Sequence, residues 1–353
     1  MFKIKAFHAD VGDSFLISYG EKKITNILID GGMGRIVLAE LKNEIRSLEK
    51  KKQKINFLIV THTDADHIDG IRRIISSGML DDSIECVYFN SKEKIFEKKG
   101  VECTQTFYRD ERNSKISYRD GNDLYALLRS KSIKNEVLFF DEKNNKLKLN
   151  DAILTILSPN FSDLEELASK WDLYQKKQEK RRYNGEKIST TEEVEKKSVE
   201  ELVAYPFEED TTLPNKTSIA FILEYNQKKV CMLADAHPSI VLENLKKVYL
   251  EPVKVDLIKV PHHGSRRNLN SDIIKYIQSE NFLISCKEHN RYNFPSKETI
   301  SRIIRENSIN DRKTTIYFNY PFKEEILSIN ESKKYNVELS FPKDIKTIWE
   351  LTL

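Results

Sequence analysis

The sequence has no CxxC pair and no continuous apolar run long enough to cross a membrane. Its four cysteines, Cys86, Cys103, Cys231 and Cys286, show neither the spacing of a zinc ribbon nor that of a disulfide framework. A membrane helix needs about 18 consecutive apolar residues, and the N-terminal stretch alternates like a strand instead of forming the apolar segment of a signal peptide. We therefore expect a cytoplasmic protein with reduced thiols and no membrane association.

The chain also lacks a strong excess of charge of either sign. Its 353 residues include 58 basic and 55 acidic side chains, which gives a formal net charge of +3. Composition alone therefore does not predict a nucleic-acid-binding protein, and any basic surface must be local. With 39 % hydrophobic residues, the chain has enough apolar side chains for one large α/β domain.

Short apolar runs alternate with helix-like stretches along the chain. The segments FKIKAF, DSFLISYG and TNILID are typical of strands, and the continuous apolar run INFLIV is typical of a strand buried on both faces. The segment RIVLAELKNEIRSL shows helical periodicity, and Asn226-Gln227 predicts a hairpin turn between two later strands. Because helices separate many of the strands, the pattern predicts an α/β fold.

The segment from about 160 to 212 is rich in charged residues and poor in core-forming ones. We interpret it as an insertion, either a solvated helix or mobile segment or a contact for nucleic acid. The second interpretation rests on basic side chains interleaved with aromatic ones: Lys176, Lys177, Lys180, Arg181 and Arg182, with Tyr174 and Tyr183.

The highest density of potential metal ligands directly follows the INFLIV run. Residues 61–70 have the sequence THTDADHIDG, in which His62, Asp64, Asp66 and His67 lie within six residues. A loop at the carboxyl end of a strand can turn such side chains toward one point and serve two metal ions. Aspartates alone would be explained as helix caps, but two histidines in the same loop favour a metal site.

This segment resembles the HxHxDH signature of the metallo-β-lactamase fold, in the HxDxDH variant of the hydrolase domain of ComEC-like competence proteins. Other segments resemble the same family in the same order: DVGDSFLI, NILIDGG, PNKTSIAFILEY, VCMLADA, LIKVPHHGS and ISCKEHNRYNFP. The resemblance implies a single αββα sandwich over residues 1–353, with two mixed sheets flanked by helices. It leaves residues about 90–145, the charged insertion and a C-terminal extension from about residue 315 unmatched.

The resemblance also implies two divalent metal ions held by His62, Asp64, Asp66, His67, Asp235 and His263. His62 and Asp64 would bind one ion. Asp66, His67 and one histidine of the 262–263 pair would bind the other, with Asp235 as the bridge. We favour His263 as that ligand, which leaves His262 to contact the scissile phosphate, to donate a proton, or to be a packed hydrogen-bonded residue. Asp66 would also orient the attacking water.

One family ligand has no counterpart, because no histidine lies between His67 and His237. Asn215 or Thr217 falls near the missing position and would be a weaker oxygen ligand. Asp64 replaces an imidazole by a carboxylate, which favours Mn²⁺ or Mg²⁺ relative to Zn²⁺. We expect Zn²⁺ or Mn²⁺, with Mg²⁺ less favoured.

Other polar residues near these motifs have weaker signals. The residues Ser265, Arg266 and Arg267 follow the paired histidines and could contact substrate phosphates, although exposed arginines without a role are the alternative. Two departures from the family pattern are Ala234 in place of glycine and Phe294 in place of histidine. Structural roles are expected for three single histidines, His8, His237 and His289, and loop-holding backbone hydrogen bonds for Asp10, Asp13 and Asp30.

The predicted function is metal-dependent hydrolysis of a phosphodiester, with DNA as the leading substrate. The nucleic-acid substrate follows from the resemblance, as does a context in bacterial anti-phage defence beside an ATPase or another defence protein. Two alternatives stay open. One is a hydrolase of a small phosphoester, cyclic nucleotide or lactone, and the other is a binding or regulatory subunit with a degenerate site, which the missing third histidine favours.

Overall fold

The computed structural model describes residues 1–80, 84–101, 118–181, 197–323 and 325–353, without the side chains of residues 118 and 172–181. Seven side chains proposed to contact nucleic acid lie outside this description: Tyr174, Lys176, Lys177, Lys180, Arg181, Arg182 and Tyr183. Their role stays a prediction.

Seventeen strands are formed by the described residues. In chain order they are β1 (Phe2–Ala6), β2 (Phe15–Tyr19), β3 (Thr25–Ile29), β4 (Phe57–Val60), β5 (Cys86–Phe89), β6 (Asn135–Glu136), β7 (Lys146–Leu149), β8 (Ala152–Ser158), β9 (Ala220–Tyr225), β10 (Lys228–Met232), β11 (Val253–Lys254), β12 (Leu257–Lys259), β13 (Ile277–Gln278), β14 (Asn281–Ile284), β15 (Thr314–Phe318), β16 (Val337–Ser340) and β17 (Trp349–Thr352).

The helices follow the same numbering along the described chain. They are α1 (Arg35–Lys50), α2 (Ala65–Ser76), α3 (Lys92–Lys99), α4 (Tyr118–Ser130), α5 (Phe161–Arg181), α6 (Val199–Val203), α7 (Leu213–Lys216), α8 (Pro238–Val248), α9 (Ser271–Tyr276), α10 (Lys297–Ile309) and α11 (Ile329–Lys334), with a 3₁₀ turn at Pro261–Gly264. No helix of the described residues is long and apolar enough to span a bilayer.

Two mixed sheets make up the centre of the fold. The first has the order β17-β1-β2-β3-β4-β5-β6 and the second β16-β15-β14-β12-β10-β9-β8-β7. In each sheet one half is antiparallel, as in the β1–β2 and β9–β10 pairs, and the other half is parallel, as in β3–β4 and β12–β14. The short strands β11 and β13 pair separately.

Alternation along the strands divides the apolar side chains between three cores. Ile17 and Ile59 of the first sheet join Phe221 of the second in the core between the sheets, whereas Leu16 and Leu58 pack under helices on the outer face. Because successive side chains of a strand point to opposite faces, a strand such as β4 that is covered on both faces must be apolar throughout. The second sheet has a matching outer core beneath α8, α9 and α10. The predicted α/β sandwich of two mixed sheets flanked by helices is confirmed.

The described ends of the charged 160–212 segment are packed into the molecule. Leu164, Leu167 and Trp171 of α5 are buried, and so is Asp210 at the other end. At these two ends the structure differs from the expectation of a solvated segment, because a few apolar residues at helical spacing anchor the start of α5 despite the surrounding charges. The C-terminal extension from about residue 315 is part of both sheets. Strand β16 extends the second sheet, and β17 pairs with β1 of the first.

Candidate metal centre

The first cluster of predicted ligands lies in the loop that joins β4 to α2. Asp64 occupies the N-cap position of α2 but makes no side-chain capping hydrogen bond, so its carboxylate is not used as a cap. The loop is held against the end of β3 by a close backbone approach. A Cβ atom at Gly31 would lie 2.3 Å from the backbone nitrogen of Ile71, and one at Gly70 would lie 1.9 Å from the Gly31 oxygen. Only glycine permits this contact.

The second cluster follows the neighbouring parallel strands β10 and β12. Their carboxyl ends lie side by side, which brings Asp235 next to the paired histidines. Ala234, His262 and His263 all have left-handed backbones, with φ of 45°, 46° and 55°. Such conformations cost of order 1–3 kcal/mol each for residues other than glycine and cluster at functional sites. The resemblance places a glycine at Ala234, and this φ value explains why.

Four imidazole groups converge on a single carboxylate oxygen, Asp235 Oδ2. The Nε2 atoms of His62, His67, His262 and His263 lie 3.7, 3.4, 3.8 and 3.7 Å from it. These separations are too long for strong hydrogen bonds, but they are close to the roughly 3.4 Å that separates two ligands of one tetrahedral metal ion. The atoms are therefore spaced as ligands around cations.

Three of these imidazoles make no hydrogen bond through Nε2. Those of His62, His67 and His263 are buried and have no hydrogen-bond partner, which is rare for buried polar atoms. The opposite ring nitrogens are held: His67 Nδ1 lies 2.8 Å from Asp30 Oδ2, and His263 Nδ1 lies 3.0 Å from the Ser285 carbonyl. A metal-ligating histidine is oriented in this way by a carboxylate or carbonyl on its second nitrogen. The donor set therefore fits divalent metal ions.

Two groups of three side chains could each hold an ion, with ligand atoms within 4.8 Å of one another: His62, His67 and Asp235, and Asp66, His67 and His263. His67 belongs to both groups, but its single Nε2 atom can bind one ion only. The sequence grouped His67 with Asp66, and the structure places it beside His62 as well.

A third group of this kind, Asp13, Asp30 and His67, is already used by the protein itself. Asp30 accepts hydrogen bonds from the backbone and hydroxyl of Thr61 over 2.8 and 2.6 Å, and Asp13 forms an ion pair with the buried Lys259. The backbone hydrogen bond of Asp30 agrees with the expected loop-holding role. Its contact with His67 adds a second role that the sequence did not indicate.

Asp64 and Asp66 complete the cluster on its solvent side. Asp64 Oδ2 lies 3.8 Å from His62 Nε2, and Asp66 Oδ2 lies 3.6 Å from His263 Nε2. Their side chains are 33 % and 24 % exposed, so a substrate can reach this side. Burial, together with the Asp66 and Asp235 carboxylates, raises the pKa of Asp64 to about 7. A bound cation would relieve this repulsion and restore the carboxylate.

The carboxylates and imidazoles of the cluster shift one another's pKa values. Burial acts to lower the pKa of His67, but the Asp235 and Asp30 carboxylates outweigh it and raise this pKa well above its usual range. Burial acts to raise the pKa of Asp235, and His262, His67 and His263 instead lower it well below its usual range. The carboxylates therefore favour a proton on His67, and the surrounding imidazoles keep Asp235 ionised.

His262 is oriented by a hydrogen-bonded chain that ends at Asp210. The Asn268 amide nitrogen donates to Asp210 Oδ2 over 3.2 Å and to the Asp235 carbonyl over 3.0 Å. Since both partners are acceptors, the Asn268 oxygen must face His262 Nδ1, which lies 2.9 Å away and donates. Its Nε2 atom is thereby directed toward Asp235. Sequence analysis missed both residues: Asn268 follows the paired histidines closely, but Asp210 lies in the charged segment and gave no signal.

The two residues near the missing third histidine differ in their surroundings. Asn215 is buried and donates from Nδ2 to Asp210 Oδ2 over 2.6 Å, while its Oδ1 atom has no hydrogen-bond partner. That oxygen could accept a hydrogen bond or bind a cation. The Thr217 hydroxyl instead donates to the carbonyls of Leu213 and Pro214 over 3.1 and 2.9 Å, so it is engaged in its own helical turn.

The residues after the paired histidines point in several directions. Ser265 Oγ accepts from the Arg267 backbone over 3.2 Å, which holds the turn. Arg266 lies 3.7 Å from Glu298, and Arg267 lies 3.3 Å from Glu208, with side chains 53 % and 46 % exposed. Exposed ion pairs of this kind are weak, so neither guanidinium group is tightly held by its glutamate partner.

The other single histidines and Asp10 lie in separate surroundings. His8 Nδ1 lies 2.6 Å from Glu40 Oε1, His237 Nε2 lies 4.0 Å from Asp210 Oδ2, and the side chain of His289 is 65 % exposed. Asp10 accepts no loop-holding backbone bond among the described hydrogen bonds, and its carboxylate lies 3.6 Å from Lys287.

Comparison with known proteins finds similarity over the segment that carries the first part of this site. Residues 9–78, which include the first ligand cluster, match the model of the Metallo-beta-lactamase superfamily. Over 72 residues the chain is 31 % identical to ComE operon protein 3 of Bacillus subtilis (strain 168). This matched segment makes up 19 % of this chain and 9 % of that protein. The chain thus matches less than a tenth of the length of this curated relative.

Solved structures of similar shape include the metallo-beta-lactamase fold protein YhfI from Bacillus subtilis, with 10 % identity, full coverage of both chains (100 %) and a TM-score of 0.44. Another is a diphosphatase from the PhnP family, with 11 % identity, coverage of 100 % of this chain and 98 % of that one, and a TM-score of 0.41. The two mixed sheets flanked by helices, described above, are consistent with the metallo-β-lactamase fold.

Proposed function

We propose that this protein is a metal-dependent phosphodiesterase that cleaves nucleic acid. The observation that carries the proposal is the convergence of four imidazole Nε2 atoms on Asp235 Oδ2, three of them buried without a hydrogen-bond partner. Divalent ions held by such ligands lower the pKa of a water molecule and neutralise charge that develops on phosphoryl oxygens. Imidazole and carboxylate ligands together suit Zn²⁺ and Mn²⁺.

The side chains divide into ligands and groups that orient them. The ligands are His62, Asp64, Asp66, His67, Asp235 and His263. Asp30 and the Ser285 carbonyl fix the rings of His67 and His263, so the ligands are placed before any ion binds. His262, fixed through Asn268, is 24 % exposed at the side chain and can contact the phosphate of a bound substrate. Arg266 and Arg267 follow the paired histidines closely in the chain, and their exposed guanidinium groups can hold further phosphate oxygens.

The choice of nucleic acid as the substrate is supported by the resemblance to ComEC-like domains and by the partial identity with ComE operon protein 3. Two alternatives must be distinguished from this proposal by experiment: hydrolysis of a small phosphoester, and nucleic-acid binding without catalysis.

Cleavage measured across a panel of metals and substrates tests the proposal. The purified chain would be stripped with a chelator and reloaded with Mn²⁺, Zn²⁺, Co²⁺ or Mg²⁺, then incubated with single-stranded DNA, duplex DNA, RNA and bis(p-nitrophenyl) phosphate. We expect nucleic-acid cleavage that requires added metal and is strongest with Mn²⁺ or Zn²⁺. Cleavage of the small ester alone would favour the small-substrate alternative. Nucleic-acid binding without cleavage in any metal would favour the binding subunit.

Replacing Asp64 with histidine should shift metal preference toward Zn²⁺. Asp64 lies 3.8 Å from His62 Nε2, and an imidazole at this position is a softer donor than a carboxylate. We expect the ratio of Zn²⁺-supported to Mn²⁺-supported activity to rise by about 10-fold, the order of effect of changes in a metal's ligand environment. The same ratio measured for Asp272→His, at an exposed helix position, is the control. An unchanged ratio in Asp64→His would mean that Asp64 does not bind the metal.

A further inference from the structure

The loop that follows β14 carries a ladder of rings that begins at the metal centre. The Phe294 ring centroid lies 5.2 Å from that of His262 and 6.2 Å from that of His263. Tyr292 stacks on Phe294 with centroids 5.5 Å apart and an interplanar angle of 23°. Only two ring contacts therefore separate Tyr292 from the histidines that surround Asp235. We infer that Tyr292 and Phe294 form a stacking site for one nucleobase of a single-stranded substrate; the inference rests on the proposed function.

Tyr292 is accessible to a ligand, which is unusual among the aromatic side chains that the structure describes. Among the described aromatic residues, only Tyr292 and Tyr205 are exposed, at 39 % and 44 %. Arg291 lies beside it, with its guanidinium carbon 4.5 Å from the Tyr292 ring centroid. Bases stack both on aromatic rings and on guanidinium planes, and the positive charge would attract the adjoining phosphate. Arg291 also donates a hydrogen bond to the Tyr292 hydroxyl, which holds its positive charge beside the exposed ring.

The ring ladder is held in place before any ligand arrives. The buried side chain of Asn290 accepts from the backbone N–H groups of Tyr292 and Phe294, each over 3.1 Å, and donates to the Phe294 carbonyl over 2.6 Å. The Ser296 backbone donates to the Gly264 carbonyl over 3.0 Å, which ties the loop to the turn that carries His263. A preformed site avoids the cost of ordering a loop on binding.

The chemistry of stacking selects the class of substrate. In a duplex both faces of each internal base are covered by its neighbours, so Tyr292 can stack only on an unpaired or terminal base. Small esters without an aromatic group would gain nothing from these rings. These features favour single-stranded nucleic acid over both duplex and small phosphoesters.

Binding and cleavage by Tyr292 variants test the site. The probes are a single-stranded oligonucleotide with 2-aminopurine at one position and the same oligonucleotide with an abasic residue there, scanned along the strand. Binding to the metal-loaded protein would be measured by anisotropy and by 2-aminopurine quenching, with phosphorothioate linkages to prevent hydrolysis. Values of kcat and KM would be measured on the natural linkages. The variants are Tyr292→Leu and Tyr292→Phe, with Tyr205→Leu as the control at the other exposed tyrosine.

We expect Tyr292→Leu to bind the base-containing strand about 5- to 150-fold more weakly, the range of one base–aromatic contact, and to lose the quenching. Tyr292→Phe and Tyr205→Leu should bind like the wild type. The abasic residue should weaken binding to the wild type by a similar factor and leave Tyr292→Leu unaffected. If Tyr292→Leu keeps both its affinity and the quenching, or if the wild type binds no oligonucleotide, the stacking site is refuted. Base-dependent binding by a wild type that cleaves nothing would refute the proposed hydrolysis and leave the stacking site supported.

Discussion

Replacing Asp235 with asparagine is expected to remove bound metal and to reduce cleavage by about 10²–10³-fold or more, the loss seen when one preorganised charge-stabilising group is removed. Asp235 Oδ2 is the atom on which all four imidazoles converge, at 3.4 to 3.8 Å. An amide oxygen has a similar shape but no charge, and it is a weaker ligand for a divalent cation. Metal content by elemental analysis and cleavage rate would be measured on the same preparation.

Asp272→Asn, at an exposed aspartate of α9, is the matched control and should keep both properties. Thermal unfolding of both variants shows whether the fold is intact, because removing a buried charge also affects stability. Wild-type metal content in a folded Asp235→Asn variant would contradict the assignment of Asp235 as a ligand. Lost metal with unchanged cleavage would contradict the hydrolytic mechanism.

The grouping of the candidate ligands in the loop between β4 and α2 could be predicted from the sequence because its signal is local. His62, Asp64, Asp66 and His67 are close in the chain and follow a run of apolar residues that must be a buried strand. Their meeting point is fixed by the end of β4 and the start of α2, so little long-range information is needed. The hairpin at Asn226 and Gln227 is local in the same sense, and both residues have the left-handed φ values, 48° and 66°, that the turn requires.

The residues that orient the ligands could not be predicted in this way. Asp30 contacts His67 across 37 positions, and Asp210 reaches Asn268 across 58. These pairs depend on how β3 meets β4 and on where the end of the charged segment lies, neither of which periodicity reveals. A lone aspartate in a loop has many local explanations, such as a cap or a turn, so its long-range partner stays hidden until the fold is known.

The charged segment shows a related limit. Residues 160–212 are on average poor in core-forming side chains. Average composition does not show which single positions are buried. Trp171 is fully buried and donates to Asn122 over 3.0 Å, and Asp210 carries the hydrogen bonds that orient His262. A few buried residues can therefore anchor a segment that is rich in charged side chains.

Replacing Lys259 with methionine should lower the free energy of unfolding by about 3–5 kcal/mol, the cost of leaving one member of a buried ion pair alone. Lys259 is fully buried, pairs with the equally buried Asp13, donates to the Ala234 carbonyl over 3.1 Å, and lies 3.9 Å from Asp235 Oδ1. Methionine fills a similar volume without the charge, so the loss reports the unpaired Asp13. Urea unfolding at neutral pH measures it.

The double variant Lys259→Met with Asp13→Asn should recover most of the lost stability, because no uncompensated carboxylate is left in the core.

Acid titration gives an independent check. Burial acts to raise the pKa of Asp13, but the Lys259 ammonium and the nearby His263 outweigh it and lower this pKa to about 2 from an ordinary value of 3.8. The unfolded chain then binds more protons than the folded one, so the contribution of Asp13 to stability is complete above about pH 4 and is lost as pH falls toward 2. Without Lys259 this lowering should disappear, and the single variant should lose less stability than the wild type over that range. A single variant as stable as the wild type would mean that Asp13 is not left as an unpaired buried charge.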